Sequence, residues 1–228
     1  MSAGTTLPGA IKTFFLQGPA GRLEAILNTA GEHPTHAALV CHPHPLFGGT
    51  MHNKVVYHAA KALNGFGFPV LRFNFRGAGL SQGEHDQGRA EKDDVSAALQ
   101  WLESEFCLPI IFAGFSFGAA VGMPVCCAEK NVAALVSLGT PVQADARTYR
   151  YNYLASCNQP KLFVSGAADP YGPQDELRKI VSAAAEPKKL ILIEGAGHFF
   201  EGKLSEMQAA ITGWLRSTLA RSKAPASL

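Results

Sequence analysis

Three residues of this chain have the types, settings and order that nucleophilic attack on a carbonyl requires. Ser116 stands in Gly114-Phe115-Ser116-Phe117-Gly118, Asp169 in Gly166-Ala167-Ala168-Asp169-Pro170, and His198 in Gly195-Ala196-Gly197-His198-Phe199. A serine hydroxyl is a weak nucleophile near neutrality and needs a base to take its proton during attack. His198 is that base, and an imidazole so used needs its far nitrogen held by a carboxylate, which fixes the tautomer and stabilises the imidazolium. Asp169 is the chosen carboxylate. Glu194, at a strand end but close in sequence to His198, and Asp145, in an irregular stretch, are its rivals.

Acyl transfer also needs donors for the oxyanion, each worth ~3 kcal/mol of barrier. The N–H of Phe117, just after the nucleophile, is one expected donor. The second should come from the loop His42-Pro43-His44-Pro45-Leu46. Proline has no N–H, which leaves His42, His44 and Leu46, and His44 is the choice. His42, His44 and His52 together also suggest a metal site. No further ligand stands at zinc-like spacing, and the prolines stiffen the loop for presenting backbone rather than wrapping an ion, so neither metal nor cofactor is expected. Phe47, Phe115 and Phe199 are candidates to line a shallow substrate pocket.

The elements that would position these residues follow from hydrophobic pattern. Ile110 to Phe115 is a short apolar run that breaks into the glycine-flanked serine and then into small residues, which reads as strand, sharp turn and helix. At such a turn the residues two before and two after the serine approach so closely that glycine fits best. Continuous apolar runs at Ala37 to Cys41, Pro69 to Phe75, Val132 to Leu138, Lys161 to Gly166 and Leu190 to Ile193 read as strands buried on both faces. They alternate with helical patterns, including Asn53 to Leu63, an acid-opened helix to Phe106, Asp175 to Ala184 and Leu204 to Leu219. Thr13 to Gln17 and Arg22 to Asn28 form an antiparallel hairpin at the sheet edge. The fold class is therefore α/β: a mostly parallel central sheet, helices on both faces, and function gathered at the carboxyl ends of the strands.

Bulk composition narrows the function classes. At 228 residues and 47% hydrophobic, the chain reads as a single domain, residues 1–228, with one sizeable core. A net charge of +2 from scattered basic residues leaves no footprint for nucleic acid, and no apolar run approaches the ~18 residues of a membrane span. Lys188-Lys189 reads as a solvated strand start. The amino terminus lacks the basic and apolar blocks of a secretion signal, and five cysteines without C-x-x-C spacing read as buried free thiols. A cytoplasmic protein is the expectation. The stretch at about 140–160 holds only two short helical turns' worth of pattern around Tyr149, Tyr151 and Tyr153, a minimal lid.

On these motifs the chain resembles the α/β-hydrolases, and among them small bacterial serine hydrolases with an H-P-H-P loop, dienelactone hydrolase-like relatives included. The residues that carry the resemblance are His42-Pro43-His44-Pro45 with Gly48-Gly49, Asn74-Phe75-Arg76-Gly77-Ala78-Gly79-Leu80-Ser81, the Ser116 elbow, Asp169 and His198. The resemblance implies nucleophile, base and acid at Ser116, His198 and Asp169, with Phe117 and His44 amides as the oxyanion hole. Two departures stand out: relatives usually have aspartate where this chain has Asn74, and dienelactone hydrolases use cysteine as nucleophile.

The leading expectation is a cofactor-free hydrolase of carboxylic esters with small acyl groups. A thioesterase or small peptidase would use the same three groups, since the pocket alone selects. A binding module on an idle hydrolase scaffold would have no need of all three.

Overall fold

The computed structural model describes residues 10–29, 31–144 and 147–222. Asp145 and most of the tail expected to fray after Arg221 lie outside the described residues. The elements in chain order are β1 (Ile11–Gly18), β2 (Gly21–Asn28), β3 (Ala37–Cys41), α1 (Lys54–Asn64), β4 (Val70–Phe73), α2 (Glu91–Phe106), β5 (Ile110–Phe115), α3 (Phe117–Ala128), β6 (Val132–Leu138), β7 (Gln143–Ala144), β8 (Arg147–Thr148), β9 (Lys161–Gly166), α4 (Gln174–Ala183), β10 (Lys188–Ile193) and α5 (Leu204–Ser222). Eight strands form one sheet in the order β1-β2-β4-β3-β5-β6-β9-β10. β1 pairs β2 and β2 pairs β4 antiparallel, and every other pairing in that sheet is parallel.

Strand alternation divides the core into two layers. In β5, Ile110 and Phe112 face a cluster built with α2, α3 and α4, whereas Ile111, Ala113 and Phe115 face a second cluster built with α1 and α5. Because both layers are filled, β3, β4 and β5 are buried along their whole length and carry almost no polar residues. Phe112 is fully buried, and α3 comes so close to its ring at Gly122 that a Cβ there would overlap it. Truncating such a phenylalanine to alanine typically costs about 3–5 kcal/mol.

The loop after β4 is pinned to α2 by a buried pair. Arg76 donates to both carboxylate oxygens of Asp94, at 2.7 Å from Nη2 to Oδ1 and 3.0 Å from Nε to Oδ2. Burial still pushes the Asp94 carboxyl up despite its partner. Asn74 accepts the Met51 N–H at 2.8 Å and donates to Glu24 Oε2 at 2.7 Å, so a neutral side chain bridges the hairpin to the approach of α1.

Three details depart from the sequence reading. Cys127, near the end of α3, forms a disulfide with Cys157, whereas Cys41 and Cys126 are buried free thiols and Cys107 is exposed. Spacing could not show this pair, because the partners lie on separate elements that only the fold brings together. Lys188 is not simply solvated: its ammonium donates to the Ser182 and Ala184 carbonyls where α4 ends. Between β6 and β9 the two expected helical turns are replaced by the short β7–β8 pair and a single 3₁₀ turn at Asn152–Ser156. No helix among the described residues is long and apolar enough to cross a membrane.

Candidate active site

Ser116 sits between β5 and α3 in a left-handed conformation, φ 53° and ψ −118°, that L-residues seldom adopt. Its own N–H donates to the Leu138 carbonyl at 2.9 Å, and its carbonyl accepts from Ala119 and Ala120 at 2.9 and 3.0 Å, so the turn is fixed on both sides. A Cβ at Gly114 would lie 2.6 Å from the Ala119 nitrogen, and one at Gly118 would meet the Cys41 carbonyl oxygen at 2.6 Å. Only glycine at both places lets the strand, the helix and the end of β3 crowd together beneath the hydroxyl.

His198 follows β10 and Asp169 follows β9, so parallel pairing delivers both to the edge where Ser116 stands. His198 Nε2 lies 2.9 Å from Ser116 Oγ, and Nδ1 lies 2.8 Å from Asp169 Oδ2. Asp169 is 4% exposed, and its Oδ1 accepts the Tyr171 N–H at 2.9 Å. That bond aims the carboxylate at the imidazole. The ring rests on Phe115 at 5.0 Å and is flanked edge-on by Tyr171 and Phe199. Gly139 makes room for it, since a Cβ there would meet His198 Cε1 at 3.2 Å. Nucleophile, base and carboxylate thus form a serine-hydrolase catalytic arrangement, which makes the chain an enzyme of that type. The rival Glu194 is exposed, whereas the carboxylate that holds the imidazole is that of Asp169.

A cavity of about 700 Å³ opens over the serine, lined among others by His44, Phe47, Phe117, Tyr149, Tyr171 and Phe199. Phe117 begins α3, and its N–H donates to no acceptor among the described residues. His44 stands across from it with rings 4.7 Å apart, and its carbonyl accepts from Phe47 and Gly49, which closes the loop into a turn. Phe115, expected on the cavity wall, lies beneath it with no exposure, because strand alternation turns it into the α1–α5 core. Phe47 and Phe199 do line the cavity and are 71% and 47% exposed.

The histidine loop divides its work. His42 is fully buried, with Nδ1 2.6 Å from the Pro43 carbonyl and Nε2 accepting the Phe75 N–H at 3.0 Å. Burial pushes it down to about 4, so it is neutral in use. His44 lines the cavity, and His52 is exposed and lines a separate, neighbouring pocket. Among the described residues no group of three or more histidine, cysteine, aspartate or glutamate side chains is placed to hold a metal ion.

Four cavity residues escape the sequence reading. Tyr171 is two places beyond Asp169 and could have been inferred from that adjacency. His85 and Gln87 come from the long loop before α2, and Asn53 caps α1, with no motif to mark them.

A model of the α/β hydrolase domain family matches residues 37–218. The chain is similar to an α/β serine hydrolase homologue from Coxiella burnetii, with 38% identity, a TM-score of 0.83, and coverage of 90% of this chain and 97% of that one. A protein from Xanthomonas campestris, described as a serine hydrolase without lid, shares 30% identity with a TM-score of 0.79 over 99% of this chain and 100% of its own. An uncharacterised protein of Rickettsia prowazekii is 36% identical over 88% of this chain and 87% of its length. These findings support kinship with small bacterial hydrolases, and not with dienelactone hydrolases in particular.

Proposed function

The chain belongs to the α/β hydrolase domain family, and from that premise we propose that it hydrolyses carboxylic esters of small acyl groups through an acyl-enzyme at Ser116. The observation that carries the reading is the continuous bond line from Asp169 through His198 to Ser116 Oγ at the floor of an open cavity. As Oγ bonds to the carbonyl carbon, its proton passes to His198 Nε2, and the carbonyl π electrons move onto oxygen. The Phe117 and His44 N–H groups are the proposed donors to that oxyanion. Collapse of the tetrahedral species breaks the bond to the alcohol oxygen, which takes the proton from His198. Water then attacks the acyl-enzyme with His198 again as base, releasing the acid and restoring the hydroxyl. Side chains and backbone supply every step, so no cofactor is assigned.

Small acyl groups are favoured by what stands over the serine. Among its described residues the segment between β6 and β9 contributes Tyr149 to the wall and, beyond the single 3₁₀ turn, no helix that would roof a tunnel; the Xanthomonas relative is described as lacking a lid.

Ser116→Ala tests the reading. Nucleophile and base act as a unit, so kcat/KM towards a nitrophenyl ester should fall by several orders of magnitude, with an unchanged circular dichroism spectrum. Retention of most of the activity in a folded variant would remove Ser116 from the mechanism.

A further inference from the structure

Beside the cavity stands a second carboxylate and imidazole couple that the hydrolytic mechanism does not use, and its imidazole reaches the lining. Glu91, the first residue of α2, is fully buried. Its Oε1 accepts the Asp86 N–H and its Oε2 accepts the Gly88 N–H, each at 2.8 Å, so the loop before the helix is folded around the carboxylate. His85 Nδ1 stands 2.6 Å from Oε1. The contact is bent from the ring's N–H direction, but a bare nitrogen lone pair that close to a carboxylate oxygen would be repelled. The ring hydrogen therefore sits on Nδ1.

In the neutral imidazole this leaves Nε2 as a hydrogen-bond acceptor, and it has no partner among the described residues. The His85 side chain is 7% exposed, lines the cavity, and packs against the rings of His44 at 4.7 Å and Phe117 at 5.5 Å. A buried polar atom without a protein partner is costly, and at a cavity wall the partner that removes the cost is water or a ligand group that displaces it. The couple repeats the build of Asp169 with His198, whose Nε2 does have a partner in Ser116. Gln87, held at φ 55° on the same loop, lines the cavity beside it and offers a second polar group.

We propose that His85 is a specificity residue, oriented by Glu91, whose Nε2 accepts a hydrogen bond from a hydroxyl group carried by the substrate close to its scissile carbonyl. The inference rests on the ester hydrolase reading and names its substrate class as hydroxylated esters. A site built to accept from a hydroxyl discriminates against the analogue lacking it, because the acceptor is then left unpaired.

The test uses esters matched except for one hydroxyl, on the second or third carbon of the acyl chain or of the alcohol, followed by acid release. The wild-type enzyme should favour at least one hydroxylated ester over its match by about 10-fold in kcat/KM. His85→Phe should bring that ratio close to one, and His85→Gln, which keeps an acceptor, should retain part of it. Taking the ratio within each variant cancels losses from altered folding, and the wild-type comparison stands even if both variants fail to fold. Hydrolysis of the plain esters with no hydroxyl preference, a preference that survives in His85→Phe, or a stronger preference for a carboxylate-bearing analogue would each overturn the inference and leave the hydrolase reading standing. Hydrolysis of none of the esters overturns both.

Discussion

His42 Nε2 accepts the backbone N–H of Phe75 at 3.0 Å, which ties the loop after β3 to the loop after β4 through one neutral imidazole. Its other nitrogen is 2.6 Å from the Pro43 carbonyl, and that carbonyl belongs to the loop expected to supply an oxyanion donor. Protonation at Nε2 would abolish the acceptor and place a charge in the core, which is why burial drives the group down to about 4 from its ordinary value of 6.5.

The pH dependence of stability follows from that shift. A histidine whose folded value lies below its unfolded one leaves stability at its full value above pH 6.5 and subtracts from it as the pH falls toward 4, because the unfolded chain takes up the proton first. From pH 6.5 to pH 5 the loss from this group alone should be about 2 kcal/mol. Urea midpoints of wild type and His42→Gln measured across this range check it. The variant should be less stable at pH 7 yet show a shallower decline, and parallel curves would mean that His42 does not titrate in this window.

Acyl-chain length is the second expectation. Each buried methylene adds about 0.8 kcal/mol only while there is wall to bury it against. Phe47 and Phe199 line the cavity while remaining largely exposed, so the wall is short. Across nitrophenyl esters from acetate to palmitate, kcat/KM should peak within the first few carbons and then level or fall. A steady rise to palmitate would reveal an acyl channel that opens on binding.

The disulfide supplies a third. Cys127 and Cys157 are 30 residues apart in sequence and join the end of α3 to the segment that carries the 3₁₀ turn. Closing a loop of that length restricts the unfolded chain by an amount worth about 3–4 kcal/mol. Cys157→Ser should lower the denaturation midpoint accordingly, and a reducing agent should lower it in wild type but not in the variant. Wild type indifferent to reductant would mean that the pair contributes nothing.

Much of the fold was legible because a parallel sheet covered on both faces writes its strands as unbroken apolar runs. Ala37–Cys41, Val132–Leu138 and Lys161–Gly166 begin and end within a residue of their expected bounds. Ser116, Asp169 and His198 were legible for a related reason: each directly follows such a strand, and parallel pairing brings successive strand ends to one edge. What sequence hid depends on direction or on distance. Phe115 and Ser116 are neighbours in the chain, but alternation points one into the core and the other into the cavity. His85 meets the cavity only because Glu91, itself masked as one acid among several at a helix start, folds the loop around its carboxylate. The Cys127–Cys157 bridge requires knowing that the segment after β6 returns to the end of α3.

Covalent labelling tests the central claim most directly. A fluorophosphonate reacts only with a serine whose proton is removed by a placed base, and the phosphonyl group that adds to Oγ displaces fluoride. Peptide mapping after labelling should find one adduct, on Ser116, and none should form on Ser116→Ala; an unlabelled wild-type protein, or an adduct on another serine that persists in the variant, would contradict the account.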